Sequence, residues 1–177
     1  NANDLPTPFK ALQMGSVWRA DRPQRGRFRQ FVQCDIDILG EPTCLAEIEL
    51  ILATTTLLGK LNFKDFKVRI NERRILKAMA SYSGFTEDQY DQVFIILDKM
   101  DKIGWDGVKA ELIESGYPEA NVEKYVTMFD EMEKAEDALA YLSEKLSGVL
   151  EEDVIENLRT IRTSVEATAA SQFQLVF

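Results

Sequence analysis

The sequence predicts an α+β fold, and three observations carry that assignment. Apolar residues alternate with period two in several segments of the first 70 residues, the stretch from 84 to about 168 has helical texture, and Gln172–Phe177 alternates again. At 177 residues and 45% apolar content, the chain can bury one sizeable core or two small ones.

The elements follow in order. Pro6 and Pro8 break regular structure and mark an entering loop. Residues 12–20 and 28–39 read as strands, and the polar stretch Arg22-Pro23-Gln24-Arg25-Gly26-Arg27 joins them as antiparallel neighbours. That connection is longer than a tight two-residue turn, which suits mobility or ligand contact. Glu41-Pro42-Thr43 opens a helix running to about Leu58, with Leu45, Ile48, Leu52 and Thr55 on one side and Gly59 as its stop. Phe66–Ile70 alternates as a half-buried strand, and Asn71 can cap a helix that packs Ile75, Leu76 and Met79 before Gly84.

Beyond residue 84 the pattern turns helical. Thr86-Glu87-Asp88-Gln89 has the form of a capping box, followed by Val93, Ile96, Leu97 and Met100 on one side. A further helix starts near Trp105, short helices cover 118–130 and 133–146, and a long one runs from Leu150 to about Thr168. The last strand is expected without a following partner. The expected division is 1–83 as a sheet-containing core, 84–168 as a helical insertion, and 169–177 as a returning strand.

Composition removes several classes of chemistry. With no histidine, the chain lacks the commonest general acid/base and any imidazole metal site. Cys34 and Cys44 are too few for a disulfide scaffold or a zinc knuckle, and structural roles are expected for both. No stretch approaches the roughly 20 apolar residues that cross a bilayer. The first residues lack the order of a secretory signal. A cytoplasmic chain without membrane contact is the expectation.

The formal charge of -9 hides an imbalance. Residues 1–75 carry 12 basic and 9 acidic side chains, whereas 76–177 carry 9 and 21. Arg19, Arg22, Arg25, Arg27 and Arg29 cluster against the single acid Asp21, so an anionic ligand belongs in the first quarter of the chain.

Strand alternation then sorts the chemistry. On the second strand Phe31, Gln33, Asp35 and Asp37 share one face, while Val32, Cys34, Ile36 and Ile38 share the other and should pack against a helix or core. Arg19 and Asp21 share a face on the first strand. Arginine offers a donor fork for phosphate or carboxylate, Phe31 a flat ring for a base, Gln33 a donor and an acceptor, and Asp37 a partner for an ammonium. Asp35 lies beside that group, and two carboxylates raise an acid/base question. Substrate recognition is nevertheless preferred to proton transfer. The plain alternative for Arg22, Arg25 and Arg29 taken singly is a solvated surface.

Trp18-Arg19-Ala20-Asp21-Arg22-Pro23-Gln24-Arg25-Gly26-Arg27-Phe28-Arg29-Gln30-Phe31 closely resembles motif 2 of the histidyl-tRNA synthetases, a class II aminoacyl-tRNA synthetase family. The continuation Val32 to Gly40 strengthens the match, and Val68–Leu76 and Leu97–Trp105 resemble later parts of the same family. The resemblance implies an incomplete class II antiparallel sheet with flanking helices and a helical insertion. It implies a parent enzyme that joins histidine to its tRNA through histidyl-adenylate, using ATP with Mg2+, and that forms a homodimer.

By the same resemblance, Arg19 is the catalytic residue that bridges the ATP α-phosphate and the amino-acid carboxylate. Asp21 reads the adenine amino group, Phe31 stacks on adenine, and Arg27 approaches ATP. Gln33 and Asp37 hold histidine, and Arg22 and Arg25 are candidates for contact with tRNA. No residue is assigned to a metal. Motif 1, a motif 3 arginine and the downstream histidine-binding segment are not found, so the chain is expected to be an internal portion of a synthetase, or a natural incomplete relative, that is inactive alone.

The insertion is too acidic for a broad nucleic-acid face, although Lys99, Lys102 and Lys109 could form a local patch. Trp105 is expected to make a helix-start core contact, and Met100, Met128 and Met132 to pack adaptably. The alternative from another class is a noncatalytic regulatory relative that retains histidine binding. Assembly of the chain itself is left open.

Overall fold

The structure is a computed structural model that describes residues 4–170 and 172–176. Its α+β content follows the expected order. Two strands come first, then a helix, a third strand, a series of helices and a short last strand. The expected strand end at Phe177 lies outside the described residues.

Strands β1 (Phe9–Trp18) and β2 (Gln30–Leu39) form an antiparallel pair running without interruption from Phe9 opposite Leu39 to Trp18 opposite Gln30. The second strand ends at Leu39 as read in the sequence, and the other three boundaries sit two or three residues from those read. Helix α1 (Leu45–Lys60) follows, with Cys44 at its N-cap and Ile48 and Thr55 buried. Leu45, expected on its inner side, is exposed. Thr55 back-bonds to the Ile51 carbonyl at 2.8 Å, which satisfies its buried hydroxyl inside the helix. Lys10 of β1 pairs with Glu49 of α1 at 2.5 Å.

The face of β2 expected to be covered is largely open. Val32, Cys34 and Ile36 are exposed, as are Leu12, Met14 and Trp18 on the same side of β1. The alternation is real, but only side-chain direction follows from it. Burial needs a second layer, and no described element covers this stretch.

The resemblance implies an incomplete antiparallel sheet, and among the described residues β1 and β2 supply an antiparallel pair. The described strands make two separate two-stranded sheets, β1 with β2 and β3 (Phe66–Arg69) with β4 (Phe173–Val176). The last strand therefore has a partner, which the sequence reading did not foresee. Pairing of two segments a hundred residues apart leaves no local signal. The Ile70 amide donates to the Val176 carbonyl at 2.8 Å.

The chain divides into two compact units, residues 1–66 with 161–173 and residues 67–160 with 174–177. In the second unit, α2 (Arg73–Ser83) buries Ile75, Ala78 and Met79, the three- and four-residue spacing of one helical face. Its N-cap is Glu72, not Asn71. The Glu72 carboxylate accepts from the Arg74 amide at 2.9 Å and from its guanidinium at 2.6 Å. Gly84 ends the helix at φ 97°, a left-handed turn open to glycine, and its carbonyl accepts from Asn121 at 2.9 Å.

Thr86 and Gln89 form the expected capping box, with Gln89 Oε1 accepting from the Thr86 amide at 3.0 Å, ahead of α3 (Tyr90–Leu97). Helix α4 (Met100–Glu114) is interrupted at Gly104, with φ 69° and ψ 175°, so a regular helix begins at Trp105 as the sequence suggested. Then come α5 (Glu119–Lys134), α6 (Ala138–Lys145) and α7 (Glu152–Thr168). Val93, Ile96, Val108, Leu112, Val122, Met128, Leu139 and Val154 are buried in this unit. Trp105 is half-buried, its ring 5.0 Å from that of Phe129, as a core contact should be. No described helix is long and apolar enough to cross a membrane.

Two side chains in this unit yield stability predictions. Tyr125 lies edge-on to Phe85 and Phe129, and its buried hydroxyl has no hydrogen-bond partner, which pushes its pKa up by desolvation. Tyr125→Phe removes an unpaired polar group and should raise stability by about 1 kcal/mol. Chemical denaturation measures this, and a comparable loss would contradict the account.

Glu131 accepts from the Tyr141 hydroxyl at 2.5 Å and from Lys145 at 3.0 Å, and these bonds hold its carboxyl below the ordinary value of 4.5. A lowered folded pKa stabilises above the unfolded value and loses that contribution as pH falls through the folded one. The melting temperature of Glu131→Gln should therefore fall less on acidification below pH 4.5 than that of the unaltered protein. Parallel acid profiles would show that the pairing contributes nothing.

Candidate functional site

The ladder fixes which side chains meet. Residues directly opposite in an antiparallel pair point to the same face. Val17 stands opposite Phe31 and Gly15 opposite Gln33, and the Arg19 amide donates to the Arg29 carbonyl at 2.8 Å, extending the register by one step. Arg19 therefore shares a face with Phe31, Gln33, Asp35 and Asp37.

The side chains meet accordingly. The Arg19 guanidinium lies 5.0 Å from the centroid of the Phe31 ring, a cation–π arrangement. Its Nη2 donates to Gln33 Oε1 at 3.2 Å, and Gln33 Nε2 donates to Asp35 Oδ2 at 2.6 Å. Phe31 and Gln33 are half-buried, whereas Arg19, Asp35 and Asp37 are exposed. Asp37 lies on the same face, about 14 Å of strand beyond Gln33. It stands opposite Ala11 and does not join the Arg19–Gln33–Asp35 chain.

The connection is ordered by its own polar groups. Gln24 and Arg27 exchange backbone hydrogen bonds at 3.2 and 2.9 Å, so the tip is a two-residue turn through Arg25 and Gly26. Gly26 has φ 78°, which a turn of this kind requires at its third position. The expected loop is thus long only in its arms. Asp21 Oδ2 accepts from Arg27 Nε at 3.3 Å and Nη2 at 3.1 Å, while Arg29 Nε donates to the Asp21 backbone carbonyl at 3.1 Å. Arg22 and Arg25 are exposed and stand outside these contacts.

Two features escaped the sequence reading. Gly15 has no side chain on the site face, and a Cβ built there would meet nothing within 4 Å, which leaves open space across the ladder from Gln33. A glycine inside a strand is the signal that could have found it. Asp35 was seen only as a neighbour, yet it holds the Gln33 amide. Among the described residues, no group of three or more Cys, Asp or Glu could hold a metal ion.

This arrangement presents a cation, an aromatic face, an amide and carboxylates along one strip, and the same residues carry the sequence motif. The profile of the family described as histidyl-tRNA synthetase matches residues 2–177.

The chain belongs to the histidyl-tRNA synthetase family.

Similar proteins agree. A histidine–tRNA ligase of Leifsonia xyli subsp. xyli is 54% identical over 111 residues, covering 63% of this chain and 26% of that protein. One of Flavobacterium johnsoniae is 40% identical over 146 residues, 82% of this chain and 30% of the relative. One of Christiangramia forsetii is 35% identical over 177 residues, covering 98% and 38%. The chain thus spans between 26% and 38% of the length of these histidyl-tRNA synthetases.

The turn geometry has a direct test. Because a Cβ at Gly26 meets open space, only its positive φ penalises substitution. Gly26→Ala should cost about 1 kcal/mol of hairpin stability and Gly26→Asn less, since asparagine tolerates this region better. Equal thermal stability for all three forms would mean that the tip relaxes into another turn.

Proposed function

We propose that the full-length protein joins histidine to its tRNA, first forming histidyl-adenylate from histidine and ATP on the face that carries Arg19. The observation that carries this reading is the approach of Arg19 to both Phe31 and Gln33 within a family-specific motif. Adenylation breaks the bond between the α-phosphorus and the pyrophosphate oxygen and forms one to the histidine carboxylate. Negative charge builds on the α-phosphate oxygens as the carboxylate oxygen attacks. A guanidinium at that position stabilises the charge without moving a proton.

The remaining roles follow from chemistry and position. Phe31 offers its ring to adenine, and Arg19 can leave that ring for the phosphate, since a cation–π contact at an exposed site contributes only about 0.5–1 kcal/mol. Gln33 and Asp37 supply acceptors for the ammonium of histidine, the first close to Arg19 and the second farther along the face. Asp21 has one carboxylate oxygen committed to Arg27 and one uncommitted, which suits the adenine amino group. Arg27 stays near that nucleotide end, and Arg22 and Arg25 extend outward towards tRNA. Mg2+ is expected to accompany ATP and to neutralise its phosphates, and no described residue is assigned to hold it. A homodimeric, cytoplasmic enzyme completes the proposal on family grounds.

In the full-length protein, Arg19→Ala should lower histidine-dependent ATP–pyrophosphate exchange by about a hundredfold or more while leaving the fold intact. Normal exchange by a well-folded variant would remove Arg19 from the reaction.

A further inference from the structure

Among the hydrogen bonds of the site face, Gln33 is held at both ends of its amide. Arg19 Nη2 donates to its Oε1 at 3.2 Å, and its Nε2 donates to Asp35 Oδ2 at 2.6 Å. Arginine has only donors, and an ionised carboxylate only acceptors. One amide orientation alone satisfies both neighbours, oxygen towards Arg19 and nitrogen towards Asp35. The flipped amide would set N–H against N–H at one end and oxygen against oxygen at the other.

We propose that Asp35 is a positioning residue, which fixes the Gln33 amide so that its oxygen is offered beside Arg19 as an acceptor for the ammonium of the amino-acid substrate. This rests on the reading of Gln33 as part of the histidine site. Gly15 leaves space across the ladder from Gln33. Oε1 keeps a second lone pair for that ammonium after accepting from Arg19. Asp35 occupies one of the two Nε2 hydrogens, so the amide turns its donor end away from the cation it is to receive. The same carboxylate adds negative charge to the face on which Asp37 also stands.

Both partners are at least partly solvated, so the individual bond is modest, and its effect is expected in substrate affinity rather than in folding. In the full-length protein, Asp35→Ala should move the side-chain amide resonances of Gln33. It should raise KM for histidine about three- to tenfold, with kcat and KM for ATP changed by less than about twofold. Asp35→Asn, which keeps an acceptor, should restore most of the affinity. In a Gln33→Ala background, removal of Asp35 should add little, because it acts through Gln33.

Unmoved amide resonances would overturn the proposal, as would an equal rise in KM with and without Gln33. If the resonances move while KM for histidine stays constant, the proposal also fails. Gln33→Ala alone then separates the two levels. An unchanged KM there counts against Gln33 as a histidine ligand, while a raised KM confines the failure to Asp35.

Discussion

The register of β1 against β2 is the constraint on which the site depends. Side chains alternate with period two, so a slip of one residue would carry Gln33 and Asp35 to the face now occupied by Val32 and Cys34. Arg19 would then face apolar side chains instead of an amide. The ladder alone does not reach Arg19, which lies just past the end of β1. Its amide bond to the Arg29 carbonyl extends the register, and the Asp21 contacts with Arg27 and Arg29 hold the two arms of the connection together. Positioning of the motif is therefore shared between a strand pair and a short polar clasp.

The candidate site was legible because its chemistry is local. Residues 19 to 37 hold the arginines, the ring, the amide and the carboxylates, and alternation alone shows which of them share a face. What escaped was tertiary. Cys34 and Ile36 are apolar and point together, yet they are exposed, because direction does not supply a covering layer. The pairing of β3 with β4 joins distant segments and leaves no local mark. Glu72 displaced Asn71 as a cap because its longer side chain serves both the amide and the guanidinium of Arg74. Asp35 went unassigned because a strand position shows proximity without showing which end of an amide it holds.

The helical unit was read correctly in texture, and its acid excess has a structural use. Lys99 pairs with Glu111, and Lys109 pairs with Glu123 at 2.8 Å, so two of the three lysines considered for a basic patch are already neutralised. Arg74 bridges Glu72, Glu151 and Asp153, which joins the start of α2 to the start of α7. Exposed pairs of this kind contribute about 0–1 kcal/mol each. Arg22 and Arg25, at the hairpin connection beside the site face, are exposed.

The proposed function rests on one claim, that the face shared by Arg19, Phe31 and Gln33 receives both the nucleotide and the amino acid. The most direct measurement is a structure of the full-length protein bound to a non-hydrolysable analogue of histidyl-adenylate. The account predicts the Arg19 guanidinium within about 3 Å of a phosphate oxygen, adenine against Phe31, and the ammonium against Gln33 Oε1. An analogue bound on the face of Val32 and Cys34, or bound with Arg19 still over Phe31 and away from phosphate, would contradict it.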